Sequence, residues 1–207
     1  MSLYFADNRN LQTIKRNITM ENLRNKKVAI LVTDGFEQSE FTEPKKAVEN
    51  AGATVHVVSL KSGKIKSWTD GNWGNEYDVD KTIDEVSVSD YDSLILPGGV
   101  INPDLLRNNK KAVDFVRGFV EHKKPVSAIC HGPWLLAEAG VLEGRKITSY
   151  SSIKNDMTNA GANWVDEEVV VDSGLVTSRN PDDLPAFCKK VIEEIAEGKH
   201  EKMSASV

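Results

Sequence analysis

Cys130 and His131 stand side by side in the run Ala128-Ile129-Cys130-His131-Gly132-Pro133, a thiol next to a titratable base. A short apolar stretch from Pro125 leads into the pair, and a helix-forming stretch, Trp134–Ala139, leads out of it. The thiol therefore falls on a tight strand-to-helix turn, where a nucleophile is held in a strained backbone with its side chain clear of the sheet. Ala128 and Gly132 are small enough to let strand and helix approach closely. Orphan N–H groups and the positive end of the following helix dipole favour a thiolate, so a lowered thiol pKa is expected. A buried structural thiol is the plainer alternative for any free cysteine. The histidine and the glycine beside this one favour the reactive reading.

Other residues with chemistry to offer lie at the ends of two further apolar runs. Glu37 follows Gly35-Phe36, and it has two uses. Held neutral by burial, it donates a hydrogen bond to a thiolate; as an ordinary helix-start carboxylate, it is satisfied by the dipole. Gly98-Gly99 ends another run, and the N–H groups of Gly99 and His131 together suit a two-donor oxyanion hole. A plain turn is the alternative for the glycine pair. Asp104, five residues past Gly99, is the nearest acid that could orient the histidine, and it equally suits a helix cap. The glycine pair matches neither nucleotide-binding fingerprint, and Cys130 and Cys188 show no metal-ligand spacing, so no cofactor and no metal are expected.

Strands and helices must position these groups. Lys27–Val32, Thr54–Leu60 and Ser93–Leu96 are apolar enough to be strands buried on both faces. Between them, Phe41, Val48 and Ala51 are spaced for a helix closed by Gly52, and Lys61–Asn75 is expected to be a polar loop before a short strand at Tyr77–Val79. One long helix is expected from Leu105 to Val120. Beyond the cysteine, Lys146–Ser149 reads as a strand, Ile153–Ala160 as a helix, and Trp164–Val171 with Leu175–Thr177 as two strands joined at Asp172-Ser173-Gly174. Asn180-Pro181-Asp182-Asp183 caps a last helix that buries Leu184, Phe187, Cys188, Val191, Ile192 and Ile195. His56 reads as packing and His122 as a helix-end residue. This alternation predicts an open, largely parallel α/β sheet with helices on both faces, whose functional groups gather beyond the carboxyl ends of the strands.

The chain has 207 residues, 40% hydrophobic and 28% charged, with a net charge of -5. That describes one ordinary globular domain, residues 26–198, between an arm at 1–25 and a polar tail at 199–207. No run of basic and aromatic residues supports nucleic-acid binding, and no stretch is apolar enough for a membrane span or signal peptide. Two cysteines without a disulfide pattern fit a reducing, cytoplasmic setting.

Val28–Glu40, Leu94–Arg107, Ala128–Gly140 and Asn163–Phe187 resemble the PfpI intracellular-protease family, in blocks that include Ala-Ile-Cys-His-Gly-Pro, Asn-Ala-Gly-Ala and Thr-Ser-Arg-Asn-Pro. The family belongs to a superfamily shared with class I glutamine amidotransferases and the Parkinson-disease-associated deglycase. The resemblance implies a flavodoxin-like three-layer sandwich with Cys130 as nucleophile, His131 as its partner and Glu37 as the acid on the thiol. It also implies that the acid orienting the histidine comes from a neighbouring subunit of a homo-oligomer. The matching position is Asp104, with one extra residue between Gly99 and Pro103. Tyr150 matches a tyrosine near the family's site. A distant His-Pro-Glu is missing, so ammonia channelling is not implied. What is implied is cysteine-dependent, stress-related hydrolase or lyase chemistry on carbonyl or amide carbon, as in proteases, deglycases and glyoxalases. The substrates would be small carbonyl compounds or modified and unfolded proteins. A chaperone or redox sensor built on an oxidisable Cys130 is the non-enzymatic alternative.

Overall fold

A computed structural model describes residues 23–201 of the chain. The expected arm lies largely outside the described residues, as does most of the tail. Leu23, however, is buried, and its N–H donates to Ala51, so the fold already includes the end of that arm.

The chain runs β1 (Lys27–Leu31), β2 (Phe36–Glu37), α1 (Gln38–Asn50), β3 (Thr54–Ser59), β4 (Lys64–Thr69), β5 (Asn72–Asp78), β6 (Lys81–Thr82) and β7 (Ser93–Leu96). It continues through α2 (Ile101–Arg107), α3 (Lys110–Glu121), β8 (Val126–Ile129), α4 (Trp134–Glu138), β9 (Lys146–Ile147) and α5 (Lys154–Asn159). Last come β10 (Asn163–Trp164), β11 (Val169–Asp172), β12 (Leu175–Ser178) and α6 (Leu184–Glu197). Seven strands form the main sheet in the order β11-β12-β8-β7-β1-β3-β6, parallel except for the edge strand β11. This is the flavodoxin-like α/β sandwich.

Successive side chains of β1 divide the core. Ala29 and Leu31 pack with Val113, Val116 and Phe119 of α3, while Val28 and Ile30 pack with Phe41 of α1 and Phe187 and Val191 of α6. A strand buried on both faces must be apolar throughout, which is why β1, β7 and β8 read as unbroken hydrophobic runs. From β1 the chain winds one way to β3 and the other way to β7. The resulting switch point brings the ends of β1, β7 and β8 side by side.

Three elements differ from the sequence reading. The expected loop at 61–75 is a hairpin: β4 and β5 pair antiparallel, Trp68 opposite Trp73, around Asp70 and Gly71 with φ of 51° and 77°. An Asp-Gly pair of this kind is the signature of a tight two-residue hairpin turn. The polar residues that suggested a loop lie on a ribbon that also pairs β4 with β2. The expected long helix breaks at Asn108-Asn109, where the Asn109 side chain caps the Ala112 N–H at 3.1 Å and starts α3 afresh. The expected strand at 164–171 is two strands in different sheets.

Candidate active site

Cys130 sits immediately after β8 with φ of 61°, a left-handed conformation costly for any residue with a Cβ. The fold holds it there from both sides. Its N–H donates to Ser178 on β12 at 3.1 Å, and its carbonyl accepts from Tyr150 at 2.9 Å. Gly132 then folds back to donate to Ile129 at 2.9 Å; a Cβ at Gly132 would lie 2.6 Å from the Leu96 carbonyl oxygen. A glycine two residues after Cys130 is therefore a steric requirement.

The Gly98-Gly99 turn closes over the sulfur. A Cβ on Gly98 would meet the Glu40 Oε2 at 2.4 Å and the Cys130 Cβ at 2.6 Å, and Gly99 has φ of 75°. The N–H groups of Gly99 and His131 both face the sulfur. Asn102, which sequence reasoning missed, pins this turn. Fully buried, it donates to the carbonyls of Pro97 and Gly98 at 2.9 and 3.1 Å and accepts from the Thr33 N–H at 2.8 Å.

The acid against the thiol is Glu40, not Glu37. Glu37 lies in β2, paired with Trp68, and its carboxylate caps α1 by accepting from the Ser39 N–H at 3.3 Å and hydroxyl at 3.1 Å. That is the helix-start role left open above. Three residues further on, Glu40 is completely buried, accepts from the Gly98 N–H at 3.1 Å and shares a hydrogen bond with the Cys130 thiol. Its signal was present in the sequence: a carboxylate on the stripe that buries Phe41, Pro44 and Val48. Burial raises its pKa from 4.5 to about 8, opposed by the bond to Cys130 and reinforced by the charge of Glu37.

The expected lowering of the thiol pKa is not what this site produces. Burial pushes the Cys130 thiol up, and the neighbouring Glu40 charge pushes it further, against the smaller pull of the Gly99 and His131 N–H groups. Helix α4 begins only at Trp134 and has five residues, too remote and too short to outweigh desolvation. The resting sulfur is a protonated thiol beside a carboxyl group that is itself largely protonated at neutral pH.

His131 lies against the thiol. Its Nδ1 is 3.2 Å from the Cys130 Sγ and its Nε2 is 3.1 Å from the Ser152 hydroxyl. Tyr150 stacks on the ring with centroids 4.8 Å apart, and Trp134 meets it edge-on at 5.0 Å. Trp134 is itself fixed, its indole N–H donating to Asp156 at 2.7 Å and Arg107 lying 4.4 Å above its face. Burial lowers the histidine pKa, opposed by the charge of Asp156, so the ring rests neutral and able to accept a proton. Asp104 does not join this group within its own chain. Its carboxylate is 56% exposed and bonds Arg107 at 2.6 Å on the outer side of α2.

A left-handed thiol on a strand-to-helix turn, with a buried acid and an adjoining histidine, is the geometry of a nucleophile elbow on an α/β sheet. The model of the DJ-1/PfpI family matches residues 26–194, and the chain belongs to that family. It is 51% identical over 162 residues to a protein of Bacillus subtilis strain 168, a match covering 78% of this chain and 94% of that one. Over 168 residues it is 48% identical to protein/nucleic acid deglycase 2 of Escherichia coli K12, covering 81% of this chain and 96% of the relative. Among solved structures, a two-domain protein of Anabaena variabilis with DJ-1/ThiJ/PfpI-like and ferritin-like domains superposes with a TM-score of 0.78 at 37% identity. That match covers 83% of this chain and 48% of the two-domain protein.

Proposed function

We propose that this protein is a cysteine-dependent enzyme acting at carbonyl carbon, of the deglycase or glyoxalase type, on small dicarbonyl compounds or the adducts they form on proteins. The observation that supports this most directly is the pair of protons around one sulfur. His131 Nδ1 lies 3.2 Å from a thiol whose other neighbour is Glu40, with a pKa of about 8. His131 takes the thiol proton as Sγ adds to the aldehyde carbon. The oxygen that gains the electron pair from the broken π bond lies toward the Gly99 and His131 N–H groups, and the Glu40 carboxyl can return a proton to it. The product is a neutral hemithioacetal, formed with no net change in protons. Amide hydrolysis asks more, because an amine must also be protonated as it leaves, so carbonyl chemistry is favoured over broad proteolysis. The deglycase name of the Escherichia coli relative supports the same reading, while the Bacillus subtilis relative carries the name of a cysteine protease.

The working unit in this proposal is a homo-oligomer. Asp104, exposed on α2, held by Arg107 and out of contact with its own chain's histidine, would reach the site of a second copy.

The test is methylglyoxal consumption by the wild type beside Cys130→Ser and Glu40→Ala. Turnover that survives Cys130→Ser refutes the mechanism. A wild type that consumes no dicarbonyl and releases no adduct, yet is oxidised at Cys130 by peroxide, supports the redox-sensor alternative instead.

A further inference from the structure

We infer that Ser152 is the positioning residue of His131, setting its tautomer and supporting its protonated form from within the same chain. The inference rests on the proposed role of His131 as the proton acceptor. The imidazole is held at both nitrogens, with Sγ 3.2 Å from Nδ1 and the Ser152 hydroxyl 3.1 Å from Nε2. If Nδ1 is to receive the thiol proton, the neutral ring must carry its own hydrogen on Nε2. That N–H then donates to the Ser152 oxygen. After proton transfer the ring is an imidazolium, and the same bond becomes charge-assisted and stronger.

The segment carrying Ser152 is coupled to the nucleophile in two further ways. The Tyr150 N–H donates to the Cys130 carbonyl at 2.9 Å, and the Tyr150 ring stacks on His131. Ser152 follows in a single helical turn, Ser151–Ile153, closed by the Ile153 N–H on the Tyr150 carbonyl at 3.2 Å and anchored by the buried Ile153 side chain. The hydroxyl is thus fixed relative to the ring rather than carried on a free loop.

The titratable and charged groups around the ring are Cys130, Glu40 of α1 beyond the sulfur, Asp156 of α5, Arg107 of α2 above Trp134, and Tyr150. Among the described residues, no carboxylate is hydrogen-bonded to either ring nitrogen. Asp156 acts on the ring only through its charge, with one oxygen committed to Trp134. Ser152 is therefore the side chain that can decide which nitrogen is free to accept.

The experiment measures two quantities on the wild type, Ser152→Ala, Ser152→Thr and Asp104→Asn: the pH profile of iodoacetamide alkylation at Cys130, and kcat and KM for methylglyoxal. Ser152→Ala should lower alkylation at pH 7 and kcat by about three- to tenfold, the loss expected of one hydrogen bond to a charged group partly replaced by water. It should move the rising limb of alkylation to higher pH and leave KM within about twofold. Ser152→Thr keeps the hydroxyl and should restore both. Wild-type profiles and kcat in Ser152→Ala overturn the inference. So does a loss that Ser152→Thr fails to restore, or one confined to KM. If Asp104→Asn alone loses kcat, the histidine is oriented by an acid and not by this hydroxyl. Alkylation needs no carbonyl substrate, so a wild type inactive on methylglyoxal refutes the proposed activity while the pH profiles still decide the role of Ser152.

Discussion

Replacing Glu40 by glutamine should change how stability depends on pH before it changes anything else. The carboxyl stands at about 8 in the folded protein against an ordinary 4.5, because burial disfavours its anion. A carboxyl raised in this way stabilises the fold fully below the unfolded value, and that contribution is lost as pH rises toward the folded value. Between those limits the unfolded chain has released the proton and the folded protein has kept it. Stability therefore falls by about 1.4 kcal/mol per pH unit, to a ceiling of about 5 kcal/mol near pH 8. Glu40→Gln has no proton to lose and keeps nearly the same shape with a donor for the sulfur. Urea unfolding of both proteins from pH 4.5 to 8.5 isolates the effect, since contributions from distant titrating groups cancel in the difference. The variant should gain on the wild type steadily across the window. A constant difference would mean that Glu40 ionises as an ordinary surface carboxylate, and the description of a neutral acid beside the thiol would fail.

Gly98→Ala should destabilise the protein by about 1–3 kcal/mol and silence Cys130, because its Cβ would stand 2.4 Å from the Glu40 Oε2; thermal melts with alkylation rates check both. Iodoacetamide should modify Cys130 well before Cys188, although burial raises both thiols and carries Cys188 to about 12. Only Cys130 has a base at 3.2 Å, so His131→Ala should abolish the preference in peptide mass maps. Asn102→Ala removes three buried hydrogen bonds to the backbone and should cost about 2–4 kcal/mol in chemical unfolding, with alkylation slowed as the Gly98-Gly99 turn loosens.

The α/β architecture was legible because a central parallel strand is buried on both faces and leaves an unbroken apolar signature; Lys27–Leu31, Ser93–Leu96 and Val126–Ile129 all carry it. The turn that carries Cys130 was legible for a local reason too, since Ala128, Cys130, His131 and Gly132 all belong to it. The β4–β5 hairpin was hidden behind its polar composition and glycines, and only the Asp70-Gly71 pair marked it. What tertiary structure alone decided was which carboxylate reaches the sulfur and what pKa results. Glu37 and Glu40 both follow β1 and differ by less than one helical turn. Yet the pairing of β2 with β4 starts α1 at Gln38, turning Glu37 to cap the helix and Glu40 inward under Gly98. A lowered thiol pKa was a reasonable expectation from a helix start and a histidine. Desolvation by β8, α1 and the Gly98-Gly99 turn reverses it, because burial is the sum of segments far apart in the chain, and no local run of residues carries that sum.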